Sequence, residues 1–274
     1  MRLVIHKSHE DASLWAAWRI ADRIRAYKPT PKRPFVLGLP TGDSPRLIYR
    51  ELARLAGEKR LSFACVRTFN MDEYVGISGE HPQSYRRFMQ ENLFGLVDID
   101  PANARVPNGM AEDLEKECRD YEDEIARAGG IELFLGGMGS DGHIAFNEPG
   151  SSLSSRTRVK TLAEETRLDN ARFFGGDPAK VPAAALTVGI GTVMDAREVM
   201  VIVSGANKAR ALQAVVEGGV NHMWTLSCLQ AHPRAIIVCD ESAVGEMKVK
   251  TVRYFKDVES AALREFGEKL GGER

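Results

Sequence analysis

Short apolar runs recur along the chain, and turns and helical patterns follow them. The runs are FVLGL (35–39), FACVRTF (63–69), IELFLGG (131–137), ALTVGI (185–190), EVMVIVSG (198–205) and AIIVCD (235–240). They are continuous in apolar residues rather than alternating with polar ones, which is typical of strands buried on both faces. The pattern predicts an α/β fold with a mostly parallel central sheet and helices on both faces.

The segments between the runs agree with this prediction. A first helix is predicted to start near Ser8, and a second to run from about Pro45 to Leu55. An apolar stripe on the first helix is expected to face the core; it consists of Leu14, Trp15, Trp18, Ile20 and Ile24. Polar breaks near 98–113 and 174–182 indicate loops, and the sequence has no repeat or interdomain linker. Residues 1–274 are therefore expected to form one doubly wound domain.

Composition excludes several classes of function. Of 274 residues, 43% are hydrophobic, and 37 Lys and Arg against 38 Asp and Glu give a net charge of −1. We therefore expect no nucleic-acid partner and no binding to an anionic membrane surface. No apolar run approaches the roughly 20 residues that span a bilayer, and the N-terminal MRLVIHKSHEDAS lacks a signal-peptide core. The four cysteines are scattered without metal-binding spacing, so we expect reduced thiols in a cytoplasmic protein.

The densest group of titratable residues lies in GGMGSDGHIAFNEP (136–149), directly after an apolar run. Asp141, His143 and Glu148 fall within eight residues there. Open α/β sheets bind ligands at the carboxyl ends of their strands. Histidine side chains can act as general acids and bases, and the two carboxylates could orient His143 or take part themselves. The alternative is a glycine-rich surface loop with incidental charges; the clustering favours an active site.

Two other strand ends have features of a phosphate site. LGLPTGDSP places Thr41, Gly42 and Ser44 before a predicted helix, so that free backbone N–H groups point out of the turn. The run EVMVIVSG is followed by a helix whose first turn carries Lys208, and an ammonium there can neutralise a phosphate. The alternatives are an ordinary capped turn and a solvated lysine.

A further strand end, FNMDEYVG, places Asp72 beside Asn70 and Glu73. Asp72 is a candidate general base, ionised at neutral pH unless burial shifts its pKa from about 3.9. The alternative is an Asx-turn or a helix cap.

Three cations follow the loop 136–149 at a spacing of two, namely Arg156, Arg158 and Lys160. In an extended segment they share one face and repel one another unless solvent or an anion compensates, and the serines that precede them are possible donors to such an anion. These residues alone slightly favour the alternative, a solvated edge strand whose charges prevent aggregation.

Together these segments resemble the glucosamine-6-phosphate deaminase family. The matching segments are GLPTGDSP (38–45), FNMDEYVG (69–76), HPQSY (81–85), GGMGSDGHIAFNEPGSS (136–152), SRTRVKTL (155–162), ALTVGIGT (185–192) and NHMWTLSCLQAHP (221–233). They span nearly the whole chain except a variable tail, 259–274. The resemblance implies a modified Rossmann-like fold, no metal or other cofactor, and frequent assembly into homohexamers. It also implies conversion of glucosamine 6-phosphate and water to fructose 6-phosphate and ammonia, in amino-sugar catabolism.

The resemblance assigns roles to the candidate residues. His143 accepts the proton that opens the pyranose ring, assisted by Asp141 and Glu148, and Asp72 then moves the C2 proton toward C1. The implied phosphate ligands are Thr41, Gly42, Asp43, Ser44, Arg172 and Lys208. Some bacterial members are activated by N-acetylglucosamine 6-phosphate at a site between subunits, and we expect the same allosteric activation here. The matching effector residues are Met1 (through its N-terminal amine), Ser151, Arg158, Lys160, Thr161 and Tyr254.

Asp43 departs from the family pattern, since close relatives usually carry a small neutral residue there. A carboxylate facing the phosphate dianion would be repulsive. We therefore expect Asp43 to point away and cap the following helix. The segment 162–185, which includes Arg172, is expected to act as a lid.

Three other functions compete with this one. One is a 6-phosphogluconolactonase of the same fold, and another is a catalytically silent sugar-phosphate sensor. Neither would need both Asp72 and His143, whereas this chain has both. A nucleotide-binding Rossmann protein would carry GxGxxG at its first strand–helix turn, and this chain does not.

Overall fold

A seven-stranded parallel sheet forms the centre of the structure, a computed structural model that describes residues 1–273. The strands of the chain are β1 (Arg2–His6), β2 (Phe35–Leu39), β3 (Val66–Asn70), β4 (Asp72–Tyr74), β5 (Ala104–Arg105), β6 (Leu133–Gly137), β7 (Arg158–Thr161), β8 (Ala184–Thr187), β9 (Val199–Val203) and β10 (Ala235–Asp240). The order across the central sheet is β1-β10-β9-β6-β2-β3-β5, and every neighbouring pair is parallel. A small antiparallel sheet has the order β4-β8-β7.

Helices cover both faces of the central sheet. They are α1 (His9–Tyr27), α2 (Arg46–Gly57), α3 (Tyr85–Asn92), α4 (Leu114–Arg127), α5 (Glu164–Asn170), α6 (Ile190–Met194), α7 (Ala209–Glu217), α8 (Val249–Val258) and α9 (Ser260–Glu273). One core lies between the sheet and α1, α2 and α9, and a second lies between the sheet and α4, α6, α7 and α8. Adjacent residues of one strand, such as Val36 and Leu37, enter opposite cores. This two-sided burial explains why the strands are continuous apolar runs, and it confirms the predicted fold class.

Helix α1 begins where the sequence predicted. The hydroxyl of Ser8 accepts a 3.1 Å hydrogen bond from the N–H of Asp11, which caps the helix. Ile20 and Ile24 are buried in the core. The helix ends at Lys28 in the left-handed conformation, with φ of 54°.

One predicted strand has the wrong partner. The run 185–190 was expected to join the parallel sheet, but β8 pairs antiparallel with β4 and β7, and α6 already begins at Ile190. An apolar run reports burial, not the direction of pairing. Gly189 is required at the turn, because an added Cβ would lie 1.9 Å from the carbonyl oxygen of Ser155.

The C-terminal tail forms α9 through Glu273; Arg274, the last residue of the expected variable tail, lies outside the described residues. Phe266 packs on His6, with ring centroids 4.9 Å apart. Glu259 accepts two hydrogen bonds from Arg2, at 2.9 and 2.6 Å. The tail is thus attached to the first strand. None of the helices within residues 1–273 combines the length and apolar character that crossing a membrane requires.

Candidate active site

The strand order creates a switch point between β2 and β6. From β2 the chain builds β3 and β5 on one side, then returns to β6 and builds outward to β9 and β10 on the other. Ligands of open α/β sheets bind outside the carboxyl ends of the strands at such a point. The loop 41–44 follows β2 and the loop 138–148 follows β6, so two of the predicted site segments flank it.

Asp72 lies at the same edge, because only Met71 separates β3 from β4. Its side chain is 7% exposed, and Oδ1 has no hydrogen-bond partner among the described residues. Burial, and next the charge of Glu73, raise the pKa of Asp72 to about 8, and a hydrogen bond from Thr41 opposes the rise. Asp72 is therefore a buried carboxyl group with one oxygen that has no hydrogen-bond partner among the described residues.

Glu73, its neighbour, has a different environment. It accepts hydrogen bonds from the backbone N–H groups of Tyr74, Tyr85 and Arg86 at 2.9 to 3.0 Å, and from the hydroxyl of Ser84 at 2.7 Å. These donors include the first turn of α3. Glu73 therefore holds α3 in place and has little capacity left for a ligand.

Asp141 and His143 form a pair in the loop after β6. Nδ1 of His143 lies 2.6 Å from Oδ1 of Asp141. Burial would raise the pKa of Asp141, but hydrogen bonds and the charge of His143 outweigh it and lower that pKa. Gly139 makes the pair possible, since an added Cβ would lie 2.4 Å from two ring atoms of His143. Nδ1 is not aligned with the carboxylate as a hydrogen bond, so the pair is held by this close ionic contact and by the backbone N–H of His143, which donates to Oδ1 of Asp141 at 3.3 Å.

Glu148 is buried and faces the segment that follows it. Oε1 accepts hydrogen bonds from the N–H of Ala163 at 3.0 Å and the hydroxyl of Thr166 at 2.5 Å, and Oε2 lies 3.4 Å from Nζ of Lys160. Among residues 1–273 these are its polar partners, and His143 is not one of them. The structure thus brings Asp141 to His143 and places Glu148 against Lys160.

The loop 41–44 turns at Gly42, whose φ of 107° favours glycine. Asp43 does not cap α2, whose N-terminus has no side-chain cap. It instead lies 3.3 Å from Nε of Arg46 and 3.6 Å from Nη2 of Arg172. The expectation of a cap was wrong. Two guanidinium groups lie close to the exposed carboxylate of Asp43, which pairs with them instead of accepting a hydrogen bond from a backbone N–H of α2.

Lys208 is half-buried at the end of a short 3-10 turn, Ala206–Lys208, that follows β9. Burial lowers the pKa of Lys208, and the nearby charges of Asp141, Asp169 and Arg172 modify it. No carboxylate of residues 1–273 forms an ion pair with it. An unpaired, partly buried ammonium near Asp141 and Arg172 is suited to an anionic ligand.

The expected effector residues form a partial cluster. Arg158 donates to Oδ1 of Asn147 at 2.9 Å and approaches the hydroxyl of Ser151 at 3.5 Å. Arg158 and Lys160 share the more buried face of β7, while Thr161 is exposed. Tyr254 is 61% exposed on α8, and within residues 1–273 no hydrogen bond joins it to the others. Met1 is partly buried against the core.

Arg156 differs from the other two cations of the stripe. Its guanidinium is exposed and pairs with Asp195 at 2.5 Å. It therefore does not contribute to the cluster around Ser151.

Two supporting residues were not predicted. Thr187 accepts a 3.1 Å hydrogen bond from the N–H of Phe146, which fixes the loop 138–148 to β8. Trp224 packs on Gly142, where an added Cβ would lie 2.7 Å from the indole. Only the glycine spacing of the loop pointed to such close contacts.

Comparisons with known proteins agree with this geometry. The model of the family described as glucosamine-6-phosphate isomerases/6-phosphogluconolactonase matches residues 7–240. A glucosamine-6-phosphate deaminase of Aeromonas salmonicida is 59% identical over 263 residues, which cover 96% of this chain and 99% of the relative. A glucosamine-6-phosphate deaminase of Phocaeicola vulgatus is 57% identical over 263 residues, covering 96% and 100%.

Solved structures share the fold. A monomeric glucosamine-6-phosphate deaminase superimposes with a TM-score of 0.85 at 39% identity, covering 90% of this chain and 100% of that one. A 6-phosphogluconolactonase of Trypanosoma brucei reaches a TM-score of 0.69 at 19% identity, covering 90% and 98%, and supports the fold alone. The chain belongs to the glucosamine-6-phosphate isomerase/6-phosphogluconolactonase family and, within it, to the glucosamine-6-phosphate deaminases.

Proposed function

We propose that this member of the glucosamine-6-phosphate deaminase family converts glucosamine 6-phosphate and water to fructose 6-phosphate and ammonia. The observation that carries the proposal is Asp72, a buried carboxyl group with an unpartnered oxygen at the sheet edge that also carries the Asp141–His143 pair. The two groups supply a base and an oriented imidazole, which are the two proton carriers that the reaction needs.

His143 is the group proposed to open the sugar ring. Opening a pyranose removes the proton of the O1 hydroxyl and returns a proton to the ring oxygen. The 2.6 Å contact with the carboxylate of Asp141 stabilises the imidazolium that forms when His143 accepts the proton.

Asp72 is proposed to carry the proton from C2 to C1 of the open chain. Removing it gives an enolamine, and returning it to C1 leaves an imine at C2. Water then adds to C2 and ammonia leaves, which gives the ketose. A buried base with a raised pKa holds the proton long enough to return it.

The phosphate is proposed to bind at the loop 41–44, with Lys208 and Arg172 supplying positive charge. The unpaired ammonium of Lys208 supports this. Arg172 belongs to the segment 162–185, which we propose to act as a lid within a single domain. Because Asp43 pairs with Arg172, phosphate must compete with that carboxylate.

Two alternatives make different demands on the site. A 6-phosphogluconolactonase hydrolyses an ester, and this reaction transfers no proton from C2 to C1. It would therefore not need Asp72 for such a transfer. A silent sensor needs the phosphate loop but neither Asp72 nor His143. The buried, unpartnered oxygen of Asp72 favours the deaminase, because an uncompensated buried carboxyl group costs stability.

The test compares wild type with Asp72→Asn and with Glu73→Gln, a neighbouring carboxylate that faces α3. Release of fructose 6-phosphate and ammonia from glucosamine 6-phosphate is followed. We expect wild-type turnover, a loss of about 10²-fold or more in Asp72→Asn, and a smaller loss in Glu73→Gln. No product from wild type would end the deaminase proposal, and full activity of Asp72→Asn would end the role of Asp72.

We also propose activation by N-acetylglucosamine 6-phosphate. The 3.4 Å ion pair between Lys160 and Glu148 supports a route for it. A phosphate at Arg158 and Lys160 would draw the ammonium away from Glu148, which could then turn toward His143. The effector activates only if it binds that second arrangement more tightly than the first.

Substrate saturation curves with and without the effector test this proposal. Activation is expected in wild type and in Arg156→Gln, whose exposed guanidinium pairs with Asp195 instead. It is expected to disappear in Lys160→Gln. Identical wild-type curves at all effector concentrations would remove the proposal.

We further propose a cytoplasmic homo-oligomer, by resemblance a hexamer, although the solved relative is described as monomeric. Helix α8 exposes Val249, Tyr254 and Val258, by 65%, 61% and 57%. Apolar side chains exposed along one helix suit a subunit contact. Light scattering should give about six times the chain mass of 30.2 kDa, and a single-chain mass would contradict the proposal.

A further inference from the structure

Asp240 lies at the carboxyl end of β10, beside the end of β9. The two strands are parallel, and Cys239 pairs with Val203, so Asp240 and Ser204 are the next residues of each. Asp240 is 5% exposed. A buried carboxylate at this edge of the sheet needs hydrogen-bond donors, and it finds them in two different turns.

The first turn follows β9. The hydroxyl of Ser204 donates to Oδ2 of Asp240, and the N–H of Gly205 lies 3.2 Å from both carboxylate oxygens. The second turn follows β10 itself. The hydroxyl of Ser242 and the N–H of Ala243 donate to Oδ1, at 2.7 and 2.9 Å. One carboxylate therefore ties the two turns together.

The first of these turns determines where Lys208 lies. Gly205 has a φ of 94°, which turns the chain sharply after β9. Its carbonyl then accepts a 3.0 Å hydrogen bond from the N–H of Lys208. The N–H of Gly205 is thus held by Asp240, and the carbonyl of Gly205 is bonded to the N–H of Lys208. A shift of Gly205 would therefore move Lys208.

We propose that Asp240 is a positioning residue for phosphate recognition: it holds the Ser204–Gly205 turn so that the ammonium of Lys208 meets the phosphate group of the sugar phosphate. The inference rests on the proposed function, because it takes Lys208 as a phosphate ligand. Asp240 itself does not touch the substrate.

A carboxylate is required because four groups donate to it. In Asp240→Asn the charge is lost and one oxygen becomes an NH2 group, which can donate to a serine hydroxyl but cannot accept from a backbone N–H. If it faces Ser204, it loses its share of the Gly205 hydrogen bond, and if it faces Ser242, it opposes the N–H of Ala243. Holding the two turns together is thus a property of the charged side chain.

The serines offer a matched pair of variants. Ser204→Ala and Ser242→Ala each remove one hydroxyl that donates to Asp240. Only Ser204 lies on the turn that leads to Lys208. A role that is merely structural would make the two variants alike, whereas positioning of the lysine separates them.

The experiment measures four quantities for wild type, Asp240→Asn, Ser204→Ala and Ser242→Ala. They are the dissociation constant for inorganic phosphate by calorimetry, KM and kcat for glucosamine 6-phosphate, and the melting temperature. We expect Asp240→Asn to raise the phosphate dissociation constant and KM together, by about 5- to 30-fold, with kcat changed less than about twofold. Ser204→Ala should raise both by about 3- to 10-fold, and Ser242→Ala by less than about twofold.

Unchanged phosphate affinity in folded Asp240→Asn would overturn the proposal, as would equal effects of the two serine variants. If Asp240→Asn does not fold, the serine pair still decides. If wild type binds phosphate but releases no ammonia, the proposed function fails while the phosphate titrations still test Asp240. If wild type does not bind phosphate, the positioning role is overturned.

Discussion

Replacing Asp72 by asparagine should make the protein more stable while removing its proposed base. The pKa of Asp72 is raised from 3.8 to about 8 in the native state. The native protein therefore keeps this proton at pH values where the unfolded chain releases it. A raised native pKa contributes stability that is complete below the unfolded value and is lost as pH rises through the native one.

The size of the effect follows from the linkage relation. One unit of pKa corresponds to about 1.36 kcal/mol. Ionisation of Asp72 should therefore lower the free energy of unfolding of wild type by about 3 to 4 kcal/mol as the pH rises from 5 to 8. The amide of the Asp72→Asn variant cannot ionise, so the variant does not lose this stability. The contributions of the other titratable groups cancel in the comparison, because both proteins contain them. The stability advantage of the variant should thus grow by about 3 to 4 kcal/mol over that range.

Urea unfolding at pH 5, 6, 7 and 8 measures the difference directly. Glu73→Gln is the control, since its carboxylate accepts four hydrogen bonds and the change should destabilise the protein at every pH. Parallel curves for wild type and Asp72→Asn between pH 5 and pH 8 would refute the reasoning.

Other predictions concern the neighbouring groups. Gly139→Ala should lower kcat by about 10²-fold in a steady-state assay, because the added Cβ would lie only 2.4 Å from the ring of His143 and would displace it. Gly137→Ala is the control and should be near wild type, because no atom lies within 4 Å of its added Cβ. Comparable losses in the two variants would contradict this. Asp43→Asn should lower KM by up to about fivefold in low salt, because its exposed ion pair competes for a phosphate ligand, and the gain should shrink at high salt; a raised KM would show the opposite role. The kcat/KM of wild type should rise with pH up to about 8, as Asp72 loses its proton, and a profile that is flat from pH 6 to 8 would argue against this base.

Much of the fold could be predicted because burial on both faces leaves a direct trace in the sequence. The runs 35–39 and 131–137 became neighbouring central strands that are buried almost throughout. The run 185–190 shows the limit: its apolar residues are buried, but the antiparallel pairing of β8 depends on contacts with β4 and β7, which are far away in the chain. Local pattern carries no information on such partners.

The site could be predicted only as far as single segments allow. The spacing of Asp141 and His143 in one loop indicated a pair, and the structure joins them at 2.6 Å. The contact between Lys160 and Glu148 and the pairing of Asp43 with Arg172 could not be predicted, because each depends on how two segments pack. Asp240 ends the run 235–240 and satisfies the same strand-end rule as Asp72, so the sequence did contain a signal for it.

A glucosamine-6-phosphate deaminase releases ammonia from the amino sugar, whereas a 6-phosphogluconolactonase hydrolyses a lactone. The most direct measurement incubates the purified protein with glucosamine 6-phosphate, and separately with 6-phosphogluconolactone, and quantifies ammonia, fructose 6-phosphate and 6-phosphogluconate. We predict equal amounts of ammonia and fructose 6-phosphate from the amino sugar, and no lactone hydrolysis above the spontaneous rate. Accelerated lactone hydrolysis without ammonia release would contradict the account.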